Sequence, residues 1–229
     1  MFRLIRVKPP NGWNAVGWEL VIVTAGVLIA LGAQELAQRQ HWKLEVRETR
    51  NALDAELARD LAAFEYRLSQ RRCVDDRLAE LSEWGESLEA GSPLKLKSPV
   101  PGVPGFTVRT AVWELTDGEI AARIPLEARL NYAWLYDALK TFDELRDVEG
   151  DAWEALAAYG GSSRLDEADL RAMKTAIGKA EAVNAILQGV KLSLDKYSRE
   201  LSVHPESNIE RRSDKIIAEW NRELCQPLL

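Results

Sequence analysis

Hydrophobic residues follow two patterns along the chain, a continuous run near the N-terminus and helically spaced stripes after it. Residues 15–33 contain one charged residue, Glu19, and a helix needs about 20 mostly apolar residues to cross a bilayer. Residues 33–84 contain neither Gly nor Pro and are rich in good helix formers. Together these patterns predict a transmembrane helix at 15–36 that continues into one long helix, and a bend in it would fall near His41 and Trp42.

The long predicted helix is amphipathic. Its apolar residues recur at three-, four- and seven-residue intervals, which places them on one side of the helix. They are Val46, Leu53, Leu57, Leu61, Phe64, Leu68, Leu78 and Leu81.

Residues 85–106 interrupt the helical pattern, because four Gly and four Pro lie between Gly85 and Gly105. The segment is predicted to be a strap without regular structure. It is either a connector that returns the chain along the bundle or a binding loop, and its alternation Leu94-Lys95-Leu96-Lys97 is compatible with a short edge strand.

Helical spacing resumes after the strap. A short helix is predicted at 107–115, with Trp113 as its buried residue, and a last helix at 206–224 that includes Ile209, Ile216, Trp220 and Leu224. Two longer helices are predicted between them. The first begins at Pro125, ends at Gly160-Gly161, and carries apolar residues at Leu130, Trp134, Leu139, Phe142, Leu145, Trp153 and Leu156. The second begins with Ser163, Asp166, Glu167 and Asp169, ends near His204-Pro205, and buries residues from Leu170 to Leu201.

Four substantial helical segments predict an all-α fold. In this fold the N-terminal transmembrane helix continues into the longest helix of an antiparallel bundle. The predicted domains are a cytoplasmic tail at 1–14, a transmembrane helix at 15–36 and a periplasmic helical bundle at 37–229, with the Pro/Gly-rich strap at 85–106.

A cleaved signal peptide is the alternative to an anchor. Arg3, Arg6 and Lys8 form a basic start before an apolar run, and Ala30, Gly32 or Ala33 would suit a peptidase. The long lead-in, which includes two Trp and Glu19, and the unbroken passage into a helix favour an uncleaved anchor.

Tryptophan residues flank the apolar run. Trp13 and Trp18 lie at one end and Trp42 at the other, and aromatic rings favour membrane interfaces. At about 1.5 Å per residue, Trp18 and Trp42 would lie roughly 36 Å apart along a helix. These three residues are the predicted interface belt.

The anchor itself carries features that suit contact with another helix. Gly26 and Ala30 form a small-x-x-x-small pair that Ala33 continues, and small residues let helices approach closely in lipid. The carboxylate of Glu19 either faces a partner helix or lies at headgroup depth beside Trp18. The predicted helix-contact residues are Glu19, Gly26, Ala30 and Ala33.

Charge and cysteines predict the orientation. The tail before the anchor has three basic residues and no acid, which favours a cytoplasmic N-terminus and a domain in the periplasm. Removing the four charged residues up to Ala33 from the 30 basic and 36 acidic ones leaves 27 and 35, a formal charge of −8 that argues against nucleic acid binding. Cys73 and Cys225 are candidates for a disulfide in an oxidising compartment, or they are two buried free thiols.

The usual sequence patterns of enzymes and metal sites are absent from the sequence. The two histidines, His41 and His204, lie in none of the common zinc or di-iron patterns, and no nucleophile-elbow or phosphate-binding motif occurs. The acidic residues around Gly150 lack calcium-loop spacing and are read as a solvated helix face: Asp143, Glu144, Asp147, Glu149, Asp151 and Glu154. We therefore expect a non-enzymatic protein without catalytic residues, cofactors or metals.

One resemblance supports this placement. The run from Glu19 to Leu31, the following Trp42 and the motif Cys73-Val-Asp-Asp-Arg77-Leu78 resemble a group of bacterial single-span membrane proteins with a helical extramembrane domain and no assigned function. The resemblance covers about 60 residues, and it implies location and architecture only.

These patterns lead to one functional expectation and two alternatives. The expected protein is a single-pass protein of the bacterial inner membrane. Through its anchor and periplasmic bundle it would act as an accessory, scaffold or assembly subunit of a membrane protein complex, or with a second copy of itself. The alternatives are a periplasmic sensor bundle that binds a small ligand and signals through a membrane partner, and a helical protein secreted after signal cleavage.

Overall fold

The computed structural model describes residues 12–103, 105–116, 118–162, 164–206 and 219–229. The chain divides into two compact units, Met1–Glu48 and Thr49–Leu229. We refer to them as unit 1 and unit 2, and each is described by itself.

The predicted all-α fold is confirmed, because the described residues form helices and no strand. Six helices have defined bounds: α1 Gly12–Ser69, α2 Arg71–Glu89, α3 Ala111–Leu115, α4 Gly118–Arg123, α5 Leu126–Ala157 and α6 Glu167–Leu201. Residues 219–225 are also helical. At the proposed edge strand the structure instead has a segment without regular structure, with one backbone hydrogen bond from the Lys97 N–H to the Leu228 carbonyl at 2.7 Å.

Unit 1 contains the described N-terminal part of α1. The helix is unbroken at His41 and Trp42. Residues 1–11 of the predicted cytoplasmic tail lie outside the described residues.

The long helix predicted for 33–84 is wrong in one respect, because it is interrupted at Gln70. The Gln70 N–H bonds to the Arg67 carbonyl three residues back at 3.2 Å, which tightens the last turn of α1. The buried Gln70 side chain donates to Asn221 Oδ1 at 2.8 Å. This contact with the C-terminal helix accounts for an interruption that helix propensity alone does not predict.

In unit 2, α1 and α5 run in the same direction. Tyr136 contacts Glu56, and the rings of Phe64 and Phe142 meet edge to face at 5.0 Å. Residue numbers therefore increase in the same direction along both helices. The third long helix, α6, is antiparallel to α1 and α5 and also to α2. Lys174 near its start pairs with Glu89 at the end of α2, while Asn184 farther along bonds to Asp75 near the start of α2 at 2.6 Å.

Two parallel helices need a connection that returns along their length, and here it consists of the Pro/Gly-rich strap followed by α3 and α4. The chain leaves α2 after Glu89 and, just beyond the strap, contacts α1 through the Arg109 and Val112 N–H groups, which bond to Asp60 and Glu56. The first residues of the predicted strap are helical, because Gly85 is buried where α6 passes closely, with Met173 Cε 3.4 Å from the position of an added Cβ.

The short helices differ from the prediction. Residues 105–110 are not helical, and α3 begins at Ala111. Trp113, expected to be buried, is half-buried and stacks on the Tyr136 ring at 5.0 Å. Residues 118–123 add a helix, α4, that the sequence pattern did not predict.

The start of α6 follows its sequence signals closely. Asp166 is the N-cap, its side chain accepts from the Asp169 N–H at 2.8 Å, and the Asp169 side chain accepts from the Asp166 N–H. This reciprocal capping box satisfies two amide groups that a helix start leaves unpaired. The helix ends with Ser202 in the left-handed conformation.

The core of unit 2 is built from the inward faces of α1, α2, α5 and α6. Its largest buried apolar side chains include Leu53, Leu57, Phe64, Leu78, Leu81, Trp84, Tyr132, Leu135, Leu139, Phe142 and Trp153. In the C-terminal helix Leu224 is buried and Trp220 partly exposed. Ile209 and Ile216 lie outside the described residues.

Candidate functional site: the apolar helix and the buried polar core

Unit 1 presents an unburied apolar helix. Among the described residues, α1 is the one helix long and apolar enough to cross a membrane, and none of its apolar window is buried. Trp18, for example, is 70% exposed and Ile29 73%. Burying apolar surface contributes roughly 25 cal/mol per Å², so this exposed surface gains free energy when something apolar covers it.

The predicted helix-contact residues lie on that exposed surface. Glu19, Gly26, Ala30 and Ala33 are all exposed, and a Cβ added at Gly26 would have no neighbour within 4 Å. At 100° per residue these four positions share one face of the helix. Small residues and one carboxylate therefore form a strip that another helix can approach closely.

The predicted interface tryptophans are placed differently. Trp18 is exposed, Trp42 is half-buried with its ring 5.7 Å from that of His41, and the side chain of Trp13 lies outside the described part of the structure. Their role at a membrane interface stays a prediction.

Cys73 and Cys225 are joined by a disulfide, with their Cα atoms 4.8 Å apart. The same region of α2 also binds the C-terminal segment through hydrogen bonds. Arg77 pairs with Glu80 at 2.9 Å, and Glu80 accepts a hydrogen bond from the Leu228 N–H at 2.7 Å. The Cys-x-x-x-Arg motif thus lies where α2 fixes the C-terminal segment.

A polar layer crosses the centre of unit 2. The guanidinium of Arg67 on α1 binds Glu149 on α5 through two hydrogen bonds, one of them 2.9 Å, and also donates to Asn184 on α6 at 3.1 Å. All three side chains are buried. Paired and hydrogen-bonded in this way, the charges avoid much of the penalty for burial and fix the relative register of three helices.

This layer corrects the interpretation of the acidic residues around Gly150. Glu149 is buried in an ion pair, whereas its neighbours Asp151 and Glu154 are exposed. Asp143 and Asp147 pair with Arg146 at 3.3 and 3.0 Å. Only part of the cluster is therefore a solvated face. In the described part of the chain no group of three His, Cys, Asp or Glu is placed to hold a metal ion.

A second polar cluster lies where the residues that follow the strap meet α1. Glu56 accepts from the Tyr136 hydroxyl at 2.7 Å and from the Val112 N–H at 3.0 Å, and Asp60 accepts from the Arg109 N–H at 3.1 Å. Burial raises the pKa of the Asp60 carboxyl from 3.8 to about 7, the Arg109 amide acts in the opposite direction, and the charge of Glu56 raises it further. Two buried carboxylates therefore hold the backbone of Arg109 and of Val112 in α3, just after the strap.

The neighbouring tyrosines are affected by the same surroundings. Burial, assisted by the hydrogen bond to Asp54, raises the pKa of Tyr132 to about 12. Burial and the bond to Glu56 also raise the pKa of Tyr136. Both phenols therefore stay protonated donors at neutral pH.

One cavity of about 230 Å³ opens between α1 and the end of α6. Its charged and polar lining comes from Glu65, Asp195, Ser198, Arg199 and His204. The Asp195 carboxylate is bound to Lys191 at 2.6 Å, and the Arg199 Nε donates to the Asp195 carbonyl at 2.7 Å. The lining is thus mixed in charge and partly occupied by its own interactions.

Sequence reasoning missed Glu56, Asp60 and Arg67 as buried residues. Asp60 and Arg67 share the spacing of the apolar stripe formed by Leu53, Leu57 and Phe64, so they lie on the side that faces the core. A charged residue at a stripe position was the available signal.

Comparison with protein-family models, with curated proteins and with solved structures finds no match to this chain.

Proposed function

We propose that this chain is a single-pass membrane protein whose N-terminal helix is retained as an anchor and whose helical domain lies in the bacterial periplasm. The observation that carries the proposal is the unburied apolar surface of α1 in unit 1. Water does not stabilise such a surface, whereas a bilayer matches it in length and polarity. The proposed orientation, with the N-terminus in the cytoplasm, rests on the three basic residues before the anchor.

We further propose that the protein is a non-enzymatic accessory or scaffold subunit of a membrane complex. The strip formed by Glu19, Gly26, Ala30 and Ala33 supports a contact with another transmembrane helix. The rigidity of the domain supports a bracing role, because a disulfide and an ion-pair layer across three helices hold its elements together. The architecture fits the group of single-span proteins that the anchor sequence resembles.

Affinity purification after mild detergent extraction tests this function. The wild-type chain is expected to retain a membrane protein or a second copy, and the double variant Gly26→Leu/Ala30→Leu is expected to lose it because bulky side chains separate the helices. Ala25→Leu/Gly32→Leu is the matched control, since it makes the same two kinds of substitution at exposed positions on a different face of the helix. A chain that runs as a solitary monomer in every mild detergent would contradict the proposal.

The cavity at the end of α6 favours a second candidate, a sensor that binds a small polar ligand. Its volume of about 230 Å³ is below the usual range of about 300–1,000 Å³ for ligand pockets, so the ligand would be small. Thermal shift of the full chain with a panel of amino acids and carboxylic acids tests this candidate. A ligand-dependent rise in melting temperature that Arg199→Ala abolishes would favour it, and its absence across the panel would count against it.

A further inference from the structure

Large apolar side chains lie exposed at one end of unit 2. Leu126 is 61% exposed, Leu130 49% and Trp134 53%, and their four-residue spacing makes them one stripe on the first turns of α5. Leu115, the last residue of α3, is 83% exposed. We call these four residues the end patch. The apolar spacing of α5 suggested a buried face for Leu130 and Trp134, but Tyr132, Leu135 and Tyr136 take the core positions instead.

The end patch lies at the end of unit 2 where the chain enters it at Thr49. The Tyr132 hydroxyl, between the patch residues of α5, bonds to Asp54. The N–H of Val112 in α3 bonds to Glu56 at 3.0 Å. Asp54 and Glu56 belong to the first two turns of unit 2 after Thr49, so α3 and the start of α5 lie level with these turns.

The side chains around Trp134 are of the types that proteins place at membrane interfaces. Its ring stacks on Tyr197 of α6, with ring centroids 6.2 Å apart and planes 14° from parallel. The Lys196 Nζ lies 4.8 Å from the centre of the Tyr197 ring. Tryptophan, tyrosine and lysine each combine an apolar body with a polar end, and they are stable at headgroup depth, where one end is apolar and the other is wet.

The chain before Thr49 determines what is available to cover the patch. Residues 37–48 are the whole link between the predicted span and unit 2, and even fully extended they reach only about 40 Å. A bilayer that holds the span therefore stays within reach of the Thr49 end of unit 2. The effective concentration of the bilayer surface at the patch is high as a result.

We propose that the end patch docks onto the headgroup region of the bilayer in which the anchor is embedded. The partner is a phospholipid surface contacted through Leu115, Leu126, Leu130 and Trp134, and the Tyr197 and Lys196 side chains lie at the polar boundary. This proposal rests on the proposed function, because without an anchored chain the bilayer is not held near the patch.

Photolabelling of the full chain in phosphatidylcholine nanodiscs tests the docking. The discs contain phosphatidylcholine with a diazirine near the glycerol, and mass spectrometry locates the lipid adducts. Adducts are expected on the anchor at 17–36 and on the segment 126–134. The double variant Leu126→Glu/Leu130→Glu is expected to lower labelling around Trp134 by at least about tenfold, because burial of one leucine already changes an equilibrium constant by about that factor.

Val148→Glu/Ile186→Glu is the matched control, since Val148 is 44% and Ile186 50% exposed and they lie 14 and 11 residues along their helices from Trp134 and Tyr197. It should leave labelling at 126–134 unchanged, and circular dichroism should show that all variants fold. Labelled anchor peptides with an unlabelled 126–134 segment would overturn the docking and leave the anchor in place. Unchanged labelling in the folded double variant would also overturn it. A chain that neither elutes with the discs nor carries adducts at 17–36 would overturn the proposed function itself.

Discussion

Arg67 and Glu149 form a two-hydrogen-bond ion pair in the core of unit 2, where both side chains are 1% exposed. The two residues come from helices that run in the same direction, and Asn184 joins the pair from the helix that runs against them. The layer therefore matches three helices at one level, which apolar packing alone specifies less tightly.

Removal of one member of this pair is expected to destabilise the domain strongly. Glu149→Leu leaves the Arg67 guanidinium buried without its counter-ion, and a loss of about 3–5 kcal/mol follows. The double variant Arg67→Met/Glu149→Leu removes both charges and should recover much of that loss. Urea unfolding followed by circular dichroism measures the difference.

The exposed pair Arg171–Glu167 provides the control, because its side chains are 65% and 88% exposed. Arg171→Met should change the free energy of unfolding by less than about 1 kcal/mol. Equal effects of the buried and exposed substitutions would contradict the role given to the layer.

Asp60 makes the stability of the domain depend on pH. Its folded-state pKa is raised from 3.8 to about 7, so the folded state binds a proton more tightly than the unfolded state does. The stabilisation that Asp60 contributes to the folded state is fully present below about pH 4 and is lost as the pH rises to about 7. Asp60→Asn should therefore flatten the decrease in unfolding free energy between pH 4 and 7.

The control for the pH experiment is Glu119→Gln. Glu119 is 63% exposed on its side chain and forms a surface ion pair with Arg123 at 3.1 Å, which contributes little to stability. Its replacement should leave the pH profile unchanged. If Asp60→Asn has the same slope as the wild type across this window, another group is responsible for the dependence.

Gly85 and Gly150 should respond differently to substitution. Both lie inside helices, but an added Cβ at Gly85 meets Met173 at 3.4 Å whereas one at Gly150 meets nothing within 4 Å. Leucine at position 85 is expected to cost about 1–3 kcal/mol by overpacking against α6. Leucine at position 150 should be neutral or stabilise by up to about 1 kcal/mol through helix propensity. Thermal unfolding of the two variants checks the contrast, and a similar cost at both sites would contradict the close packing of α2 and α6.

The disulfide closes a loop of 152 residues, so its loss should lower stability substantially. Cys73→Ser is expected to cost about 2–5 kcal/mol, since the unfolded chain gains freedom. Cys225→Ser should behave in the same way. Hydrogen exchange at 225–229 is expected to rise in both variants, although the Glu80 bond to the Leu228 N–H partly holds the tail.

Alkylation of cells without reductant tests the compartment: free thiols on native chains would contradict a periplasmic domain.

The sequence predicted the helices well where their signals are local. Asp166 and Asp169 form the cap that their spacing indicates, and the apolar stripe from Leu53 to Leu81 is largely buried. It did not predict the interruption at Gln70, which depends on a contact with Asn221 far along the chain. Nor did it predict the buried polar residues, because a charge such as Glu149 is buried only when its partner from another helix arrives beside it. The outward position of Trp134 likewise depends on which face of α5 the other helices occupy.

The central claim is that the N-terminal helix stays on the chain and holds it in a membrane. Alkaline carbonate extraction of cell membranes, followed by mass spectrometry of the protein in pellet and supernatant, tests it most directly. The account predicts that the chain remains in the pellet and that peptides containing Trp18 and peptides from unit 2 are recovered together. A protein released into the supernatant, with an N-terminus near Ala33 and no peptide containing Trp18, would contradict it.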